Sequence, residues 1–421
     1  MGAQTLSEKI LSRAAGRRVR AGELAICTPD LAMGTDGSIP MALDYLESMR
    51  PGAGPSFPLR LVFALDHYGA ASGAKAQALQ ARARAYAARH GIRCYDEGEG
   101  IGHQLVLESG AARPGLLIVG ADSHSTSYGA AGAFGTGIGS SDLAGVLLCG
   151  QVWLKVPETL RVNLTGALGG DASAKDVALL LARRYGADGA DYRVLEFTGP
   201  GVANLDMDDR IVLSNMSVEL GAKAGIFPCD EVTAAWLRDR TSAWFDPVAS
   251  DPGAKYAGVI DLDLDAVVPQ MALPHRVDHV VDVDAAPYTV VDMVYLGTCT
   301  GGRIKDYREA LEVLRRGGGI APGVRVIVTP ASAAVRAELE RNGMLAALAA
   351  LGAEIQPPGC GACCGTCGSI PADGATVIST ANRNFKGRMG NAAASIYLAS
   401  PKVCAAAAVR GSFGTKPGEP A

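Results

Sequence analysis

Residues 357–367 read PPGCGACCGTC and contain four of the ten cysteines of the chain. Cys360 and Cys363 form a C-x-x-C pair, and the glycines around them let the backbone turn tightly and present both sulfurs to one point. In a long chain whose cysteines have no regular spacing, such a pair indicates metal or redox chemistry rather than a disulfide framework. We therefore place the predicted functional centre in this loop.

A third cysteine, Cys299, lies in a second glycine-rich turn, LGTCTGGR, directly after the apolar run 290–296. This pattern is typical of a strand that ends in a loop, where catalytic groups usually lie. Two thiolates from one loop and one from a distant loop can hold an iron–sulfur cluster that keeps one iron open as a Lewis acid. A structural zinc site, a disulfide and simple core packing remain alternatives at this point. Cys364 and Cys367 add two more thiols to the same loop.

The composition of the 421 residues, 48% hydrophobic and 19% charged, is typical of a globular protein with two or three domains. The net charge of -4 gives no electrostatic basis for binding nucleic acid. No apolar run approaches the length that spans a bilayer. Irregularly spaced cysteines fit a reducing compartment. We therefore expect a cytoplasmic protein that binds neither nucleic acid nor a membrane.

Apolar runs that predict strands alternate with helical segments, and polar residues cluster after the predicted strand ends. This alternation is typical of α/β proteins, whose sites form at the carboxyl ends of parallel strands. The composition shifts near Pro157, and a new unit begins near Tyr288. We predict three α/β subdomains, at residues 1–157, 158–287 and 288–421, the last of which carries the three cysteines.

Three of the six histidines follow predicted strands, and two of these have a neighbouring aspartate, in the sequences Asp66-His67, His103 and Asp122-Ser123-His124. A carboxylate beside an imidazole holds the ring charged or in one tautomer, which suits proton transfer or anion binding. Lone histidines are more often structural, so both interpretations stay open. Glu219, in a predicted helix, is a further acid candidate, although most helical glutamates are simply solvated.

Two arginines, Arg383 and Arg388, lie in the glycine-containing segment ANRNFKGRMG together with Asn382. Guanidinium groups in one short loop can bind carboxylates through paired hydrogen bonds, although a solvated surface loop has the same composition. The sequence GTGIGS at 135–140 matches part of a dinucleotide fingerprint. Neither the strand–helix context nor an acidic ribose partner accompanies it, so a nucleotide-linked enzyme has little support.

Taken together, these segments resemble the aconitase family, and within it the large subunits of the 3-isopropylmalate dehydratase and homoaconitase type. The similarity covers nearly the whole chain. It is carried, in this order, by LDH at 65–67, GIGHQ at 100–104, GADSHSTSYGAAGAFGTGIGSSD from 120, NMSVELGAKAG from 215, GTCTGGR from 297, PGCGAC from 358 and NRNFKGR from 382. The ordered set is highly specific, whereas no single member would be.

The resemblance implies an aconitase-type fold of three α/β/α subdomains packed around a [4Fe-4S] cluster on Cys299, Cys360 and Cys363. It implies catalytic roles for Asp66, His67, His103, Asp122, His124 and Glu219. Within this set, Asp122 and His103 are expected to be hydrogen-bonded partners, as are Glu219 and His124. It also implies that Arg383 and Arg388 bind substrate carboxylates and that Ser123 and Asn382 are polar substrate-binding positions.

The reaction that the resemblance implies is removal and re-addition of water on a small hydroxy di- or tricarboxylate. The open iron binds the substrate hydroxyl and a carboxylate, and a base takes a proton from the adjacent carbon. In single-chain aconitases a swivelling domain supplies this base as a serine in a G-S-S-R-like sequence, which we do not find after Arg388. We therefore expect a separate small subunit that completes the site.

The first expectation for the substrate is 3-isopropylmalate, an intermediate of leucine biosynthesis, and the alternatives are homoaconitate and a substituted malate such as dimethylmalate. Departures from the family pattern weaken the first choice: Gly301 replaces the asparagine of S-C-T-N, Thr35 replaces the histidine of H-D-G-T, and Cys364 and Cys367 are unusual. A hypothesis from another class is a non-catalytic zinc-binding scaffold.

Overall fold

The computed structural model describes residues 2–57, 60–69 and 72–415. Its α-helices are α1 (Leu6–Ala14), α2 (Ile39–Met49), α3 (Gly73–His90), α4 (Gly102–Glu108), α5 (Ser140–Cys149), α6 (Ala174–Tyr185), α7 (Met207–Met216), α8 (Glu231–Arg238), α9 (Ile304–Arg316), α10 (Ala333–Arg341), α11 (Met344–Ala350) and α12 (Pro401–Arg410). Short 3₁₀ helices include Ser123–Ala131, Ser217–Leu220 and Gly361–Cys364.

The strands are β1 (Leu24–Cys27), β2 (Leu31–Thr35), β3 (Leu61–Ala64), β4 (Arg93–Tyr95), β5 (Leu117–Gly120), β6 (Phe134–Gly137), β7 (Val152–Lys155), β8 (Thr159–Thr165), β9 (Val194–Thr198), β10 (Ala224–Ile226), β11 (Gly258–Asp263), β12 (Gln270–Ala272), β13 (Val280–Asp282), β14 (Thr289–Val290), β15 (Met293–Leu296), β16 (Arg325–Val328), β17 (Glu354–Ile355), β18 (Thr376–Ser379), β19 (Ser395–Ala399) and β20 (Ser412–Phe413). Strand β3 lies within the apolar run LRLVFAL at 59–65, of which residue 59 lies outside the described residues.

The first sheet is parallel and has the strand order β4-β3-β2-β5-β6. Strands β2, β3 and β5 are buried along their whole length. Helices cover both faces of such a sheet, which explains why these strands are almost uninterrupted apolar runs. Their carboxyl ends lie side by side, so the loops after β2, β3 and β5 meet at one edge.

The second sheet, β10-β9-β8-β11, is also parallel. The third has the order β13-β12-β19-β18-β15-β16-β17, and its strands β19, β18, β15, β16 and β17 run parallel. These parallel sheets with their helices confirm the predicted α/β class. Strands β12 and β13 lie within the predicted second subdomain, yet β12 pairs with β19 of the third sheet. The subdomain boundaries themselves stay a prediction.

The loops that carry the cysteines leave the carboxyl edge of the third sheet, after β15 and after β17. Gly361 shows why glycine is needed there. Its φ is +56°, and a Cβ at this position would lie 2.2 Å from Tyr295 Oη. The same Tyr295 hydroxyl donates a hydrogen bond to the Cys360 carbonyl oxygen at 3.0 Å, so the cysteine loop sits directly on the sheet.

Among the described residues, no helix combines the length and the apolar character that crossing a membrane requires.

Candidate active site

Loops from the first and third sheets enclose a cavity of about 60 Å³. It is lined by His67, Ile101, His103, Asp122, His124, Thr298, Cys299, Cys360, Cys363, Cys364, Asn382, Arg383 and Arg388. The structure therefore brings predicted site residues together at one cavity. Two of them, His67 in a loop of the first sheet and Arg388 in a loop of the third, are about 320 positions apart in the sequence. A backbone hydrogen bond from the Cys360 N–H to the Asp66 carbonyl oxygen, at 3.1 Å, joins the two sets of loops.

The thiols of Cys299, Cys360 and Cys363 are free and face this cavity. Burial raises the pKa of Cys299 to about 12 and that of Cys360 well above its ordinary value. A buried thiol of this kind ionises readily only beside a positive charge such as a metal ion. These three cysteines are therefore suited to binding a metal group, whereas none of them is suited to act as a free thiolate.

Three N–H groups point at these sulfurs. The Asn215 and Asn382 amides donate to Cys299 Sγ at 3.1 and 3.3 Å, and Arg388 Nη2 lies 3.6 Å from Cys363 Sγ. Donors around a sulfur ligand stabilise its negative charge and tune the bound metal. Asn215 was not among the predicted site residues, although it opens the NMSVELG stretch that carries the family resemblance.

Gly301 departs from the family pattern, and the structure shows what occupies the space. A Cβ at Gly301 would lie 2.3 Å from Thr380 Cβ. The Thr380 hydroxyl in turn bonds to the N–H and the carbonyl oxygen of Gly297, both at 3.0 Å. An asparagine at 301 would therefore displace Thr380. In this chain the amides of Asn215 and Asn382 provide the hydrogen bonds to Cys299 Sγ.

Lys175 is a second residue that the sequence analysis missed. It is buried beneath the Cys299 loop and donates to Thr300 Oγ1 at 3.1 Å and to the carbonyl oxygens of Thr380 and Ala381 at 2.9 and 2.7 Å. Burial lowers the pKa of Lys175 to about 8. Its ammonium group donates hydrogen bonds both to the loop that follows β15 and to the loop that follows β18, and it therefore holds the two loops together.

A chain of alternating carboxylates and imidazoles lines the opposite wall. Asp66 Oδ1 lies 2.7 Å from His67 Nδ1, and His67 Nε2 lies 3.6 Å from Asp122 Oδ2. The other Asp122 oxygen accepts from His103 Nε2 at 2.8 Å and from the His124 N–H at 2.9 Å. His124 Nε2 contacts Glu219 Oε1 at 2.9 Å. The partners expected from the resemblance are therefore adjacent in the structure.

These contacts shift the pKa values of Asp122 and His67. Burial alone would raise the pKa of Asp122, but interactions with His103, His124 and His67 outweigh it, and the pKa lies well below its ordinary value. Burial would lower the pKa of His67, yet electrostatic interactions with Cys360 and Asp66 and hydrogen bonds to Asp122 and Asp36 raise it well above the usual range. At neutral pH the arrangement favours a protonated His67 beside an ionised Asp122.

Asp36 is a further buried acid that the sequence analysis left unassigned. It accepts from the backbone N–H groups of His67 and Tyr68 at 3.1 and 3.0 Å and from Gln80 Nε2 at 3.0 Å. Burial alone would raise its pKa, but the interaction with His67 and these hydrogen bonds keep the pKa lowered. Asp36 thus fixes the loop that presents His67. The neighbouring Thr35 hydroxyl contacts Ser38 Oγ at 3.2 Å, within its own turn.

Arg383 donates from Nε to both oxygens of Glu219, at 2.8 and 3.0 Å. Both of these bonds use Nε, and no described residue hydrogen-bonds to the two terminal amino groups, so they can bind a ligand carboxylate. Ser123 is placed differently. It lines a neighbouring cleft of about 350 Å³ together with Thr136 and Lys223. The substrate-binding roles of Ser123, Asn382, Arg383 and Arg388 stay predictions, as do the catalytic roles.

A sequence model of the aconitase family (aconitate hydratase) matches residues 8–290 and 287–411. The homoaconitase large subunit of Thermus thermophilus is 45% identical over 417 residues, which cover 98% of this chain and 97% of that protein. The 3-isopropylmalate dehydratase large subunit 1 of Deinococcus radiodurans is 44% identical over 97% of this chain and 92% of that protein.

Another 3-isopropylmalate dehydratase large subunit 1, from Thermotoga maritima, is 41% identical over 97% of both chains. Among solved structures, the holo-form of aconitase X from Thermococcus kodakaraensis matches with a TM-score of 0.52. That match covers 85% of this chain and 84% of the other at 14% identity, so it supports the fold alone.

Proposed function

The chain belongs to the aconitase family, and from this we propose that it is the large subunit of a cytoplasmic iron–sulfur hydro-lyase. Its substrate is a small hydroxy di- or tricarboxylate, in the first place 3-isopropylmalate, with homoaconitate or a substituted malate as the alternative. One observation carries the proposal: three free thiols, a histidine–carboxylate chain and two arginines face one cavity.

We assign a [4Fe-4S] cluster to Cys299, Cys360 and Cys363. The residues present fit such a group, because the thiols face one cavity and amide and guanidinium N–H groups point at two of their sulfurs. Arg388 Nε is buried without a hydrogen-bond partner among the described residues, so it is a polar atom that a bound group can satisfy. When bound, a cluster with three cysteine ligands supplies a Lewis acid at its fourth iron.

The protein side chains have separable tasks in this proposal. Arg383 and Arg388 bind the substrate carboxylates, since guanidinium groups match carboxylate geometry. His67 holds a proton at Nε2, beside Asp122, and delivers it to the departing hydroxyl group. His103, held between Asp122 and the Tyr128 hydroxyl, orients Asp122. His124 and Glu219 orient Arg383.

The base that takes the carbon-bound proton comes, in this proposal, from a serine of a separate small subunit. The similar proteins are themselves described as large subunits, which supports a two-chain enzyme. We expect the large subunit alone to bind the cluster and to be nearly inactive, and to become active when the small subunit is added. The measurement is turnover of 3-isopropylmalate, homoaconitate and dimethylmalate before and after addition. Full turnover by the isolated chain would contradict the two-chain proposal.

The first experiment on the cluster is the iron, sulfide and zinc content of protein purified without oxygen, together with absorption and EPR spectra. About four irons and four sulfides per chain are expected for a [4Fe-4S] cluster. Zinc without iron would overturn the hydro-lyase proposal in favour of a zinc-binding scaffold.

We expect Arg383→Lys to raise the KM of the two-subunit enzyme. A lysine presents a point charge that reproduces neither the paired bonds to a carboxylate nor the Nε contact with Glu219. Loss of one charged hydrogen bond corresponds to roughly 10- to 100-fold weaker binding. The matched control is Arg325→Lys, an exposed arginine that pairs with Glu354. Unchanged kinetics in Arg383→Lys would remove Arg383 from the substrate site.

A further inference from the structure

The turn CGTC at residues 364–367 has no part in the proposed reaction. Cys364 ends the 3₁₀ helix Gly361–Cys364, and Gly365, at φ +71°, turns the chain so that Cys367 returns to Cys364. The Sγ atoms of Cys364 and Cys367 both contact one acceptor, the Gly361 carbonyl oxygen, at 3.6 and 3.3 Å. Two half-buried thiols thus lie side by side in a tight glycine turn.

This CGTC turn packs directly on the loop that presents His67. Cys364 Sγ donates to the His67 carbonyl oxygen at 3.3 Å, and the Thr366 hydroxyl donates to the same oxygen at 2.5 Å. The Thr366 carbonyl oxygen in turn accepts from Ser72 Oγ at 2.7 Å. The chemical state of the Cys364 thiol is therefore coupled to the backbone of a residue at the cavity.

The other side of the turn contacts the loop of the second arginine. A Cβ at Gly365 would lie 2.8 Å from the Arg388 carbonyl oxygen and 2.5 Å from the Gly390 nitrogen. The turn therefore has backbone on both sides, from the His67 loop and from the Arg388 loop. A change of its conformation would alter its contacts with both loops.

We propose that Cys364 and Cys367 form a reversible disulfide, a redox modification site distinct from the three assigned cluster ligands, and that its formation lowers the activity of the enzyme. The oxidant is a low-molecular-weight disulfide. The thiolate of one cysteine attacks a sulfur of this reagent, and one small thiolate leaves. The other cysteine thiolate attacks the resulting mixed disulfide, the intramolecular S–S bond forms, and the second small thiolate leaves. Two electrons pass from the protein sulfurs to the reagent, and the two thiol protons end on the two released small thiols.

Oxidation removes both S–H donors. The bonds from Cys364 to the His67 carbonyl oxygen and from Cys367 to the Gly361 carbonyl oxygen are lost, whereas the Thr366 bond to His67 can persist. Because His67 keeps one of its two backbone contacts to this turn, we expect a partial loss, with kcat lowered about fivefold, the effect of one net hydrogen bond.

The test uses anaerobically purified, cluster-loaded protein in buffers of increasing ratio of oxidised to reduced glutathione. Remaining thiols are alkylated and the peptides are mapped by mass spectrometry. We expect a disulfide between Cys364 and Cys367 that dithiothreitol reverses, at unchanged iron content. Alkylation of both cysteines at the most oxidising ratio would overturn the proposal, as would pairing of Cys364 with a cluster cysteine and loss of iron.

Two variants sharpen the result. Cys367→Ser cannot form the bond, whereas Cys149→Ser, which removes an exposed cysteine on α5, should form it as the unchanged protein does. The mapping rests on the thiols alone and is informative even if the proposed function fails. The activity measurement rests on the proposed function. In the two-subunit enzyme, oxidation should lower kcat in the unchanged protein and in Cys149→Ser but not in Cys367→Ser. A disulfide without any fall in kcat would refute the regulatory effect.

Discussion

Cys363→Ser is expected to abolish cluster binding and with it all hydro-lyase activity. Cys363 is 5% exposed and lies between Arg388 Nη2 at 3.6 Å and Asn382 Oδ1 at 3.9 Å. A serine hydroxyl is a much poorer ligand for cluster iron than a soft thiolate, and two remaining cysteines leave a second iron without a protein ligand. Iron and sulfide content, measured with the visible absorption, reports the loss directly.

The control is Cys367→Ser, which changes the same atom in the same loop. Cys367 does not line the cavity, and its thiol contacts the Gly361 carbonyl oxygen at 3.3 Å. This variant should keep both cluster and activity. Iron at the level of the unchanged protein in Cys363→Ser would instead point to Cys364, which does line the cavity, and the double variant Cys363→Ser/Cys364→Ser would then identify the third ligand.

The convergence of the acidic and histidine residues could be predicted because it follows from strand order. Asp66 follows β3 and Asp122 follows β5, and both strands flank β2 in the parallel sheet. Apolar runs without alternation indicate buried parallel strands, and the carboxyl ends of neighbouring parallel strands share an edge. Asp36, at the end of β2 between them, belongs to the same pattern, although it was not among the predicted site residues.

Other features depend on packing between elements that are distant in the sequence. Lys175 lies at the start of α6, where a lysine is usually solvated, and only the loops after β15 and β18 bury it. Ser123 shows that adjacency in the sequence does not decide which cavity a side chain faces. It stands between two residues at the cavity, but the 3₁₀ helix Ser123–Ala131 turns each successive side chain by about 120°, and Ser123 faces the neighbouring cleft.

Asp122→Asn is expected to lower kcat by about 100- to 10,000-fold while the fold and the cluster are retained, in line with the usual contribution of positioned acid–base groups. The amide has the same shape and can still accept from His103 Nε2 through its oxygen. Its NH₂ group, however, faces His67 Nε2, so two donors meet where the unchanged protein has a donor and an acceptor. Loss of the negative charge also removes one of the interactions that raise the pKa of His67.

The pH profile separates this effect from a general loss of structure. In the unchanged enzyme the raised pKa keeps His67 protonated through neutral pH, so the alkaline limb of kcat lies high. In Asp122→Asn that pKa falls, and the alkaline limb should move to lower pH. Asp44→Asn, which alters a carboxylate whose side chain is 69% exposed, should change neither kcat nor the profile. A uniform fall in kcat with an unmoved profile would mean that Asp122 only positions its neighbours and that His67 does not deliver the proton.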